Sequence, residues 1–239
     1  MRININYIKL FALLFVVTGL YAFSSHRSTQ RKVEHIRIAF VGDQNLYITQ
    51  DMVNKLLIQK FGSLQNLPKE KLVLNAVEKA IKANKMVKSA QVYLTINGEL
   101  TSKIVQRKPI GRIEGDSKFY MDDEGESMPL SSVHSARVPI ITGKISGESL
   151  EDVYEILKYI NGDDFLRKNV IAIHVQDTKK YQLKFRMENF VVNLGSVDNL
   201  EEKFSNFKAF YAKANNDETL EKFAVVSLEF NNQVVCTKI

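Results

Sequence analysis

The chain has 239 residues, of which 45% are hydrophobic and 25% charged, and its formal net charge is +6 at pH 7. This is the composition of a folded globular protein, and the low content of glycine and proline excludes a long disordered stalk. The lone cysteine, Cys236, excludes an intramolecular disulfide. Without an arginine-rich stripe or a zinc motif, nucleic acid is disfavoured as a partner.

An apolar segment close to the N-terminus predicts a single transmembrane helix over residues 7–25. No charged residue occurs between Leu10 and Ser25. Extension of this run back to Tyr7 gives about the 20 residues that a helix needs to cross a bilayer. The helix would tether the remaining residues to one side of a membrane.

The flanks of this segment set its predicted topology. We expect a short cytoplasmic tail at 1–6, a linker at 26–32 and the globular part outside the cytoplasm, because so short a tail is a poor candidate for export. The alternative is a cleavable signal peptide. Ala22-Phe23-Ser24 is a poor small-x-small cleavage site, since its neighbours are bulky.

The next part of the chain predicts a strand, two helices and two strands, in that order. Apolar residues alternate in the strands and recur at helical spacing between them. The predicted elements are a strand at 32–42, a helix capped by Thr49 and stopped by Gly62, a helix starting at Pro68, and strands at 90–96 and 100–106. This order is similar to that of a POTRA domain, a small module that binds extended peptides or partner domains, and we assign it residues 33–108.

The second half of the chain, residues 109–239, predicts a mostly antiparallel β-rich domain with flanking helices, so the fold class is α+β. Pro109 marks a strand edge or end. The predicted strands are 118–121, 127–130, 136–142, 170–176, 181–187, 190–194, 225–230 and 233–237, and the predicted helices are 150–160 and 200–214. The aromatic residues between Phe204 and Tyr211 have helical spacing, which favours a core role over a ligand pocket.

The sequence contains no recognisable catalytic or metal-binding motif. The four histidines, His26, His35, His134 and His174, lie far apart, and no HExxH, CxxC, GxSxG, Walker A or GxGxxG pattern occurs. We therefore expect no enzyme activity, no metal and no cofactor.

One acidic run, from Asp122 to Glu126, could hold calcium or supply an acid/base pair. It lacks the EF-hand spacing of ligands. Acidic residues followed by Gly125, between two apolar runs, are typical of a tight turn, so we interpret the run as structural.

The C-terminal hairpin is the strongest candidate for a binding site. A strand at the end of a chain is often an edge strand, whose unpaired N–H and C=O groups can accept a strand from a partner. The alternative is a strand that is buried against a neighbour or covered by a loop.

Five stretches of the sequence carry a family resemblance over most of the chain. They are AQVYLTINGELTSKIVQRKPIGRI, FYMDDEGESMPL, ARVPIITG, NFVVNLGSVDNLEEKFSNFKAFY and AVVSLEFNNQVVCTK. Together they resemble the FtsQ (DivIB) family of bacterial cell-division proteins, and the QRKP and ARVPIITG stretches are most similar to members from Bacteroidetes. In the first stretch Gln106 replaces an acid that is common in the family.

The resemblance implies a non-enzymatic scaffold in the bacterial inner membrane at the division septum, with its globular part in the periplasm. Members bind FtsB and FtsL, which are single-pass division proteins, and link early division components to septal peptidoglycan synthesis. Other divisome proteins would bind through the POTRA domain. Carried over by position, the strand that accepts FtsB comprises Val226, Ser227, Leu228, Glu229 and Phe230, with Asn232 at the turn. Phe230 is the expected hot spot.

Two other functions stay open from the sequence. One is a different POTRA-type envelope adaptor for outer-membrane assembly or transport. The other is a membrane-tethered envelope enzyme, which would need carboxylates or a nucleophile converging in a pocket.

Overall fold

The chain folds into two compact units, Met1–Gln106 and Arg107–Ile239. The computed structural model describes residues 5–29, 32–42, 45–176, 179–230 and 232–239. Both units combine helices with a mixed β-sheet, which confirms the α+β class.

The first helix, α1 (Ile5–Thr29), precedes the strands of the first unit. Among the described residues, no helix is both long enough and apolar enough to cross a membrane. The predicted transmembrane helix at 7–25 is therefore wrong. Its uncharged run covers only residues 10–25, whereas a span needs about 20 predominantly apolar residues. Residues 1–4 of the predicted tail and 30–31 of the predicted linker lie outside the described residues.

The first unit contains a three-stranded sheet and two further helices. These elements are β1 (His35–Val41), α2 (Gln50–Phe61), α3 (Leu74–Lys82), β2 (Val87–Leu94) and β3 (Glu99–Gln106). The strand order is β1-β3-β2, with β1 parallel and β2 antiparallel to β3. The predicted succession of strand, helix, helix, strand and strand is present, while the POTRA assignment stays a prediction.

The two helices of this unit begin differently. The side chain of Thr49 accepts a hydrogen bond from the Met52 N–H at 3.3 Å, so Thr49 caps α2 as predicted. The second helix does not begin at Pro68, because a short 3-10 turn follows Pro68 and extended backbone at Val73 separates that turn from α3.

Gln106 anchors the segment before α2. Its Oε1 accepts hydrogen bonds from the N–H groups of Tyr47 and Ile48 at 2.9 and 3.3 Å, and its Nε2 donates to the Ile48 carbonyl at 2.8 Å. The side chain is buried, so both its donor and its acceptor are needed. A glutamate carboxylate could accept the bonds from Tyr47 and Ile48 but could not donate to the Ile48 carbonyl. This requirement for a donor explains glutamine at this position in this chain.

The second unit is built on a nine-stranded sheet. Its elements are β4 (Pro109–Glu114), β5 (Lys118–Asp122), β6 (Ser127–Pro129), β7 (Ile140–Gly143), α4 (Gly147–Gly162), α5 (Asp164–Asn169), β8 (Val170–Val175), β9 (Tyr181–Phe185), β10 (Val191–Gly195), α6 (Leu200–Asn216), β11 (Phe223–Ser227) and β12 (Val235–Lys238). The strand order is β12-β11-β10-β9-β8-β7-β4-β5-β6.

This sheet is mixed, and most of its strand pairs are antiparallel, as predicted. The pairs β4–β7, β7–β8 and β10–β11 are parallel, and the other five are antiparallel. Two of the three parallel pairs arise from helical crossovers, since α4 and α5 connect β7 to β8, and α6 lies between β10 and β11 in the chain.

Strand β4 lies in the interior of the sheet and begins at Pro109, which confirms the prediction that this proline marks a strand edge or end. Proline is tolerated there because it is the first residue of the strand. Gly111 allows close packing, since a Cβ at this position would lie 2.3 Å from Leu157 Cδ1. The predicted strand at 136–142 is shorter than expected and begins only at Ile140.

The core of the second unit is rich in aromatic residues. Phe204 and Phe207 of α6 are fully buried, and Phe207 lies 4.9 Å from Phe185 between ring centroids. Tilted and edge-to-face ring pairs of this kind stabilise a core beyond the burial of area alone. The prediction that these helix-spaced aromatic residues form core is confirmed.

The acidic run is a turn, as predicted. Asp122 is fully buried, and its Oδ1 accepts hydrogen bonds from the N–H groups of Glu124 and Glu126 at 2.9 and 2.8 Å. Its Oδ2 binds the guanidinium of Arg107 at 2.5 Å. Each of these contacts joins Asp122 to the β5–β6 turn or to Arg107, just before β4. The carboxylate therefore stabilises the turn.

Replacement of Gln106 by Glu should destabilise the first unit by about 1–3 kcal/mol at pH 7, because a buried carboxylate cannot donate to the Ile48 carbonyl. The loss should shrink in acid, where a protonated Glu regains a donor, since burial raises its folded-state pKa. Urea denaturation at pH 7 and pH 4 measures both effects. Gln91→Glu, on an exposed position of β2, is the matched control, and an equal loss in the two variants at pH 7 would contradict the assignment.

Candidate functional site

The C-terminal hairpin forms one edge of the nine-stranded sheet. In the part of the chain that the structure describes, β12 pairs with β11 on one side and with no strand on the other. Strand β11 is an interior strand, because it also pairs in parallel with β10. The open edge therefore belongs to β12.

The backbone of β12 directs alternate residues to its two sides. The Ile239 N–H donates to the Lys222 carbonyl at 3.0 Å, toward the inner side. The direction of the backbone N–H and C=O groups alternates along an antiparallel strand. The groups of Thr237 therefore point toward β11, as the Ile239 N–H does, and those of Cys236 and Lys238 point outward. These outward groups are the ones that an added strand would engage.

The side chains of β12 divide between the core and solvent. Cys236 packs against the hydrophobic core, and burial raises the pKa of its thiol. Val235 and Thr237 are exposed on the opposite face. The strand is thus held by one apolar face, while its other face and its outer edge stay accessible.

Three of the predicted partner-binding residues lie inside the domain. Val226 and Ser227 belong to β11 and are buried. Leu228 is 1% exposed, and its N–H donates to the Asn193 carbonyl at 2.8 Å, which continues the pairing with β10. These residues do not form an open edge, because the crossover through α6 places β11 beside β10. Their role in partner binding stays a prediction.

The other predicted residues lie at the surface beside the hairpin. The carboxylate of Glu229 forms an ion pair with the Lys180 ammonium at 2.7 Å. Glu229 also packs closely over Gly195, which has a positive φ of +70°, and a Cβ added at that glycine would lie 2.8 Å from the Glu229 Cγ. The Asn232 N–H donates to a carboxylate oxygen of Glu202 at 3.2 Å. Phe230 is 50% exposed.

Phe230 lies in a small cleft between the hairpin and the beginning of α6. The cleft is lined by Asn199, Glu202, Lys203, Asn206, Leu228, Phe230 and Gln233. Burial lowers the pKa of Lys203, and its Nζ donates to the Ser196 carbonyl at 2.8 Å. The cleft joins an exposed aromatic ring to amide and charged groups, a combination suited to protein recognition.

A second cavity lies at the carboxyl ends of β4, β7 and β8, beside the start of α4. Its wall includes Lys179, which pairs with Glu148 at 2.9 Å. Ser146 and Ser149 cap α4 reciprocally. Within the described ranges, no group of three or more His, Cys, Asp or Glu side chains could hold a metal ion. These contacts are structural, and we assign no chemistry to this cavity.

Sequence reasoning raised the terminal strand as an edge but placed the predicted binding residues on β11 and the loop after it, and it missed α6 as a wall of the cleft. The alternation of Val234 and Cys236 toward the core with Val235 and Thr237 toward solvent was a usable signal for a strand with one buried face. The parallel pairing of β10 with β11 had no local signal, since it depends on contacts across the intervening helix.

The fold and this site define an α+β protein with an open sheet edge beside a cleft that contains an exposed aromatic ring.

The family described as FtsQ/DivIB, C-terminal related matches residues 108–237, which is more than half of the chain. The chain belongs to this family, so it is a member of a family of cell-division proteins, as the sequence resemblance indicated.

Solved structures similar to part of the chain include the major extracytoplasmic domain of the trans isomer of the bacterial cell division protein DivIB from Geobacillus stearothermophilus, with 13% identity and a TM-score of 0.35, covering 47% of this chain and 97% of that chain. The curated proteins include no match to the chain.

The burial pattern predicts effects of different size on the free energy of unfolding for two substitutions in the hairpin. Leu228→Ala should lower the free energy of unfolding by about 3 kcal/mol, because Leu228 is fully packed in the core. Phe230→Ala should change it by less than about 1 kcal/mol, because half of the ring is exposed. Thermal denaturation of both variants measures the difference. A large loss for Phe230→Ala would show that the ring belongs to the core and not to a docking surface.

Proposed function

We propose that this protein is a non-enzymatic scaffold of bacterial cell division, which binds FtsB- and FtsL-type partners in the periplasm by addition of a partner strand to β12. In this proposal it links early division components to septal peptidoglycan synthesis. The family membership supports the division role, and the open edge of β12 is the observation that carries the binding mode.

The edge of β12 suits strand addition for two reasons. Its outward N–H and C=O groups, at Cys236 and Lys238, are spaced as a partner strand requires. Its inner side pairs with β11 from Ser227↔Val235 to Phe223↔Lys238, with one register shift between Phe223 and Val225. The strand is therefore preorganised, and a partner would not have to order it on binding.

The cleft at Phe230 suits the selective part of the interaction. In strand addition the main chain supplies much of the affinity, and pockets for side chains supply the selectivity. Phe230 and Gln233 lie in the segment that leads directly into β12, so a partner strand on that edge would end beside the cleft. An exposed aromatic ring at this place is a suitable anchor for an apolar residue of the partner.

The same proposal gives distinct roles to the originally predicted residues. Phe230 and Asn232 contribute side-chain contacts from the loop. Val226 and Leu228 contribute by holding β11 in the sheet, since both are buried. A second partner of the division machinery would bind the first unit.

Lys238→Pro should weaken binding of the soluble periplasmic segment of an FtsB-type partner by about tenfold or more, because proline removes one outward N–H from the edge. Lys238→Ala is the matched control, since it removes the same side chain and keeps the N–H. Phe230→Ala should cost about 2 kcal/mol of binding free energy. Isothermal titration calorimetry measures all three.

Equal affinity of the Lys238→Pro and Lys238→Ala variants would contradict strand addition at β12. Unchanged affinity of Phe230→Ala would remove the ring from the binding site. Circular dichroism spectra of each variant establish that the fold is retained before the affinities are compared.

A further inference from the structure

The formal charge of the chain is divided unequally between its two units. Residues 1–106 contain 15 Lys and Arg and 6 Asp and Glu, whereas residues 107–239 contain 18 and 21. The formal charges at pH 7 are therefore +9 and −3, which together give the +6 of the whole chain. An asymmetry of this size is typical of a chain in which one part contacts an anionic partner.

Four lysines of the first unit are concentrated where α3 turns into β2. They are Lys79 and Lys82 in the last turn of α3, Lys85 in the turn that follows, and Lys88 in β2. Each follows the previous one by three residues, and residues 79–98 contain no Asp or Glu. We call these four residues the lysine stripe. It is a local excess of positive charge within a unit that is already basic.

The core of the first unit holds the backbone that carries the lysine stripe. Ala80 and Ile81 of α3 are buried, as are Met86 and Val87 on the other side of the turn. Asn84 closes the turn, since its Oδ1 accepts the Met86 N–H and its carbonyl accepts the Val87 N–H, both at 2.9 Å. The four lysines are therefore attached to packed backbone, and a partner would not have to order that backbone on binding.

The side chains of the lysine stripe are accessible. Lys79, Lys82 and Lys85 are exposed, and Lys88 is half-buried. Among the described residues, Lys79 and Lys85 form no ion pair. Because their ammonium groups are exposed and not neutralised by a carboxylate of the chain, these two lysines present net positive charge to solvent.

Glu78 is the one acidic residue of α3, and it neutralises only part of the lysine stripe. One of its carboxylate oxygens binds the Lys82 ammonium at 2.7 Å, and the other accepts the Val92 N–H of β2 at 3.2 Å. Both oxygens therefore have partners within the unit. One carboxylate beside four lysines leaves the stripe with a positive excess.

Lysine supplies nearly all of the positive charge in this part of the chain. Residues 32–106 contain ten lysines and one arginine, Arg37. Arginine is the residue that suits bidentate pairing with a carboxylate or phosphate at a fixed geometry, whereas lysine is a hydrated point charge on a flexible stem. A stripe made only of lysine, on a helix end and a turn, therefore suits attraction to a continuous anionic surface more than recognition of one shaped ligand.

We propose that the lysine stripe binds the anionic headgroups of a phospholipid surface and thereby holds the first unit against that surface. Clusters of lysine are attracted to anionic lipid over about a Debye length, without a fixed pairing of each ammonium with one headgroup. None of the four side chains has to enter the hydrocarbon region, so the contact is peripheral. The proposal concerns the first unit and does not depend on the proposed role of β12.

The test is a measurement of the affinity of the full chain for two kinds of vesicle by co-sedimentation. One kind is pure phosphatidylcholine, and the other contains phosphatidylcholine and phosphatidylglycerol in a ratio of about 2:1. The chain should bind the anionic vesicles about tenfold more tightly or better, and this preference should shrink between about 0.1 M and about 0.5 M salt, because salt screens exposed charges. The difference between the two vesicles isolates the part of the binding that depends on charge.

Three double variants separate the lysine stripe from net charge. Lys79→Glu with Lys85→Glu should weaken binding to the anionic vesicles about 20-fold or more, because each lysine close to such a surface contributes about fivefold. Lys168→Glu with Lys213→Glu is the matched control, since it makes the same change of net charge at exposed lysines in the last turns of α5 and α6. It should change the affinity less than about threefold. Lys79→Arg with Lys85→Arg keeps the charge and should bind as the unmodified chain does.

Three results would overturn the proposal. They are equal affinity for the two vesicles, equal losses in the two glutamate double variants, and a large loss in the arginine double variant. Binding of poly-L-glutamate that depends on Lys79 and Lys85, without a preference for anionic vesicles, would instead assign the stripe to an acidic segment of a partner protein. Circular dichroism spectra establish that each variant is folded, and the salt dependence of the unmodified chain tests the proposal without a substitution. The Lys238→Pro variant should bind both vesicles as the unmodified chain does, which keeps this test separate from that of β12.

Discussion

The parallel pairing of β10 with β11 is the constraint on which the rest of the candidate site depends. Three register pairs, from Val191↔Val225 to Asn193↔Ser227, and the bond from the Leu228 N–H to the Asn193 carbonyl fix β11 inside the sheet. Helix α6 must then cross over the sheet, and its aromatic residues fill the core. As a result β12 is left at the edge, and Phe230 is left in the cleft beside α6.

Local chemistry in the sequence predicted much of the fold. The cap at Thr49, the turn at Asp122 and the aromatic face of α6 each depend on contacts with residues a few positions away or on helical spacing. The interior position of β4 and the pairing of β11 depend on residues far apart in the chain, and no local pattern encodes them. For the same reason the sequence pointed to the C-terminal hairpin but selected its inner strand, which the structure places between β10 and β12.

The membrane prediction failed for a different reason. The run without charge between Leu10 and Ser25 is shorter than the about 20 apolar residues that a membrane span needs. The two sheets also show how edges are managed in one chain. Glu78 closes β2 with a charge, and Gln50 covers β1 with a neutral amide. Among the described residues, no side chain is hydrogen-bonded to the outer backbone groups of β12.

The most direct test of the account is an NMR measurement of the complex between this chain and the periplasmic segment of an FtsB-type partner. Strand addition predicts intermolecular nuclear Overhauser effects between partner α-protons and the backbone of Cys236 and Lys238, with slowed exchange of the Lys238 amide. Contacts confined to Phe230 and α6, with unchanged exchange along β12, would contradict the central claim that the edge of β12 is the docking strand.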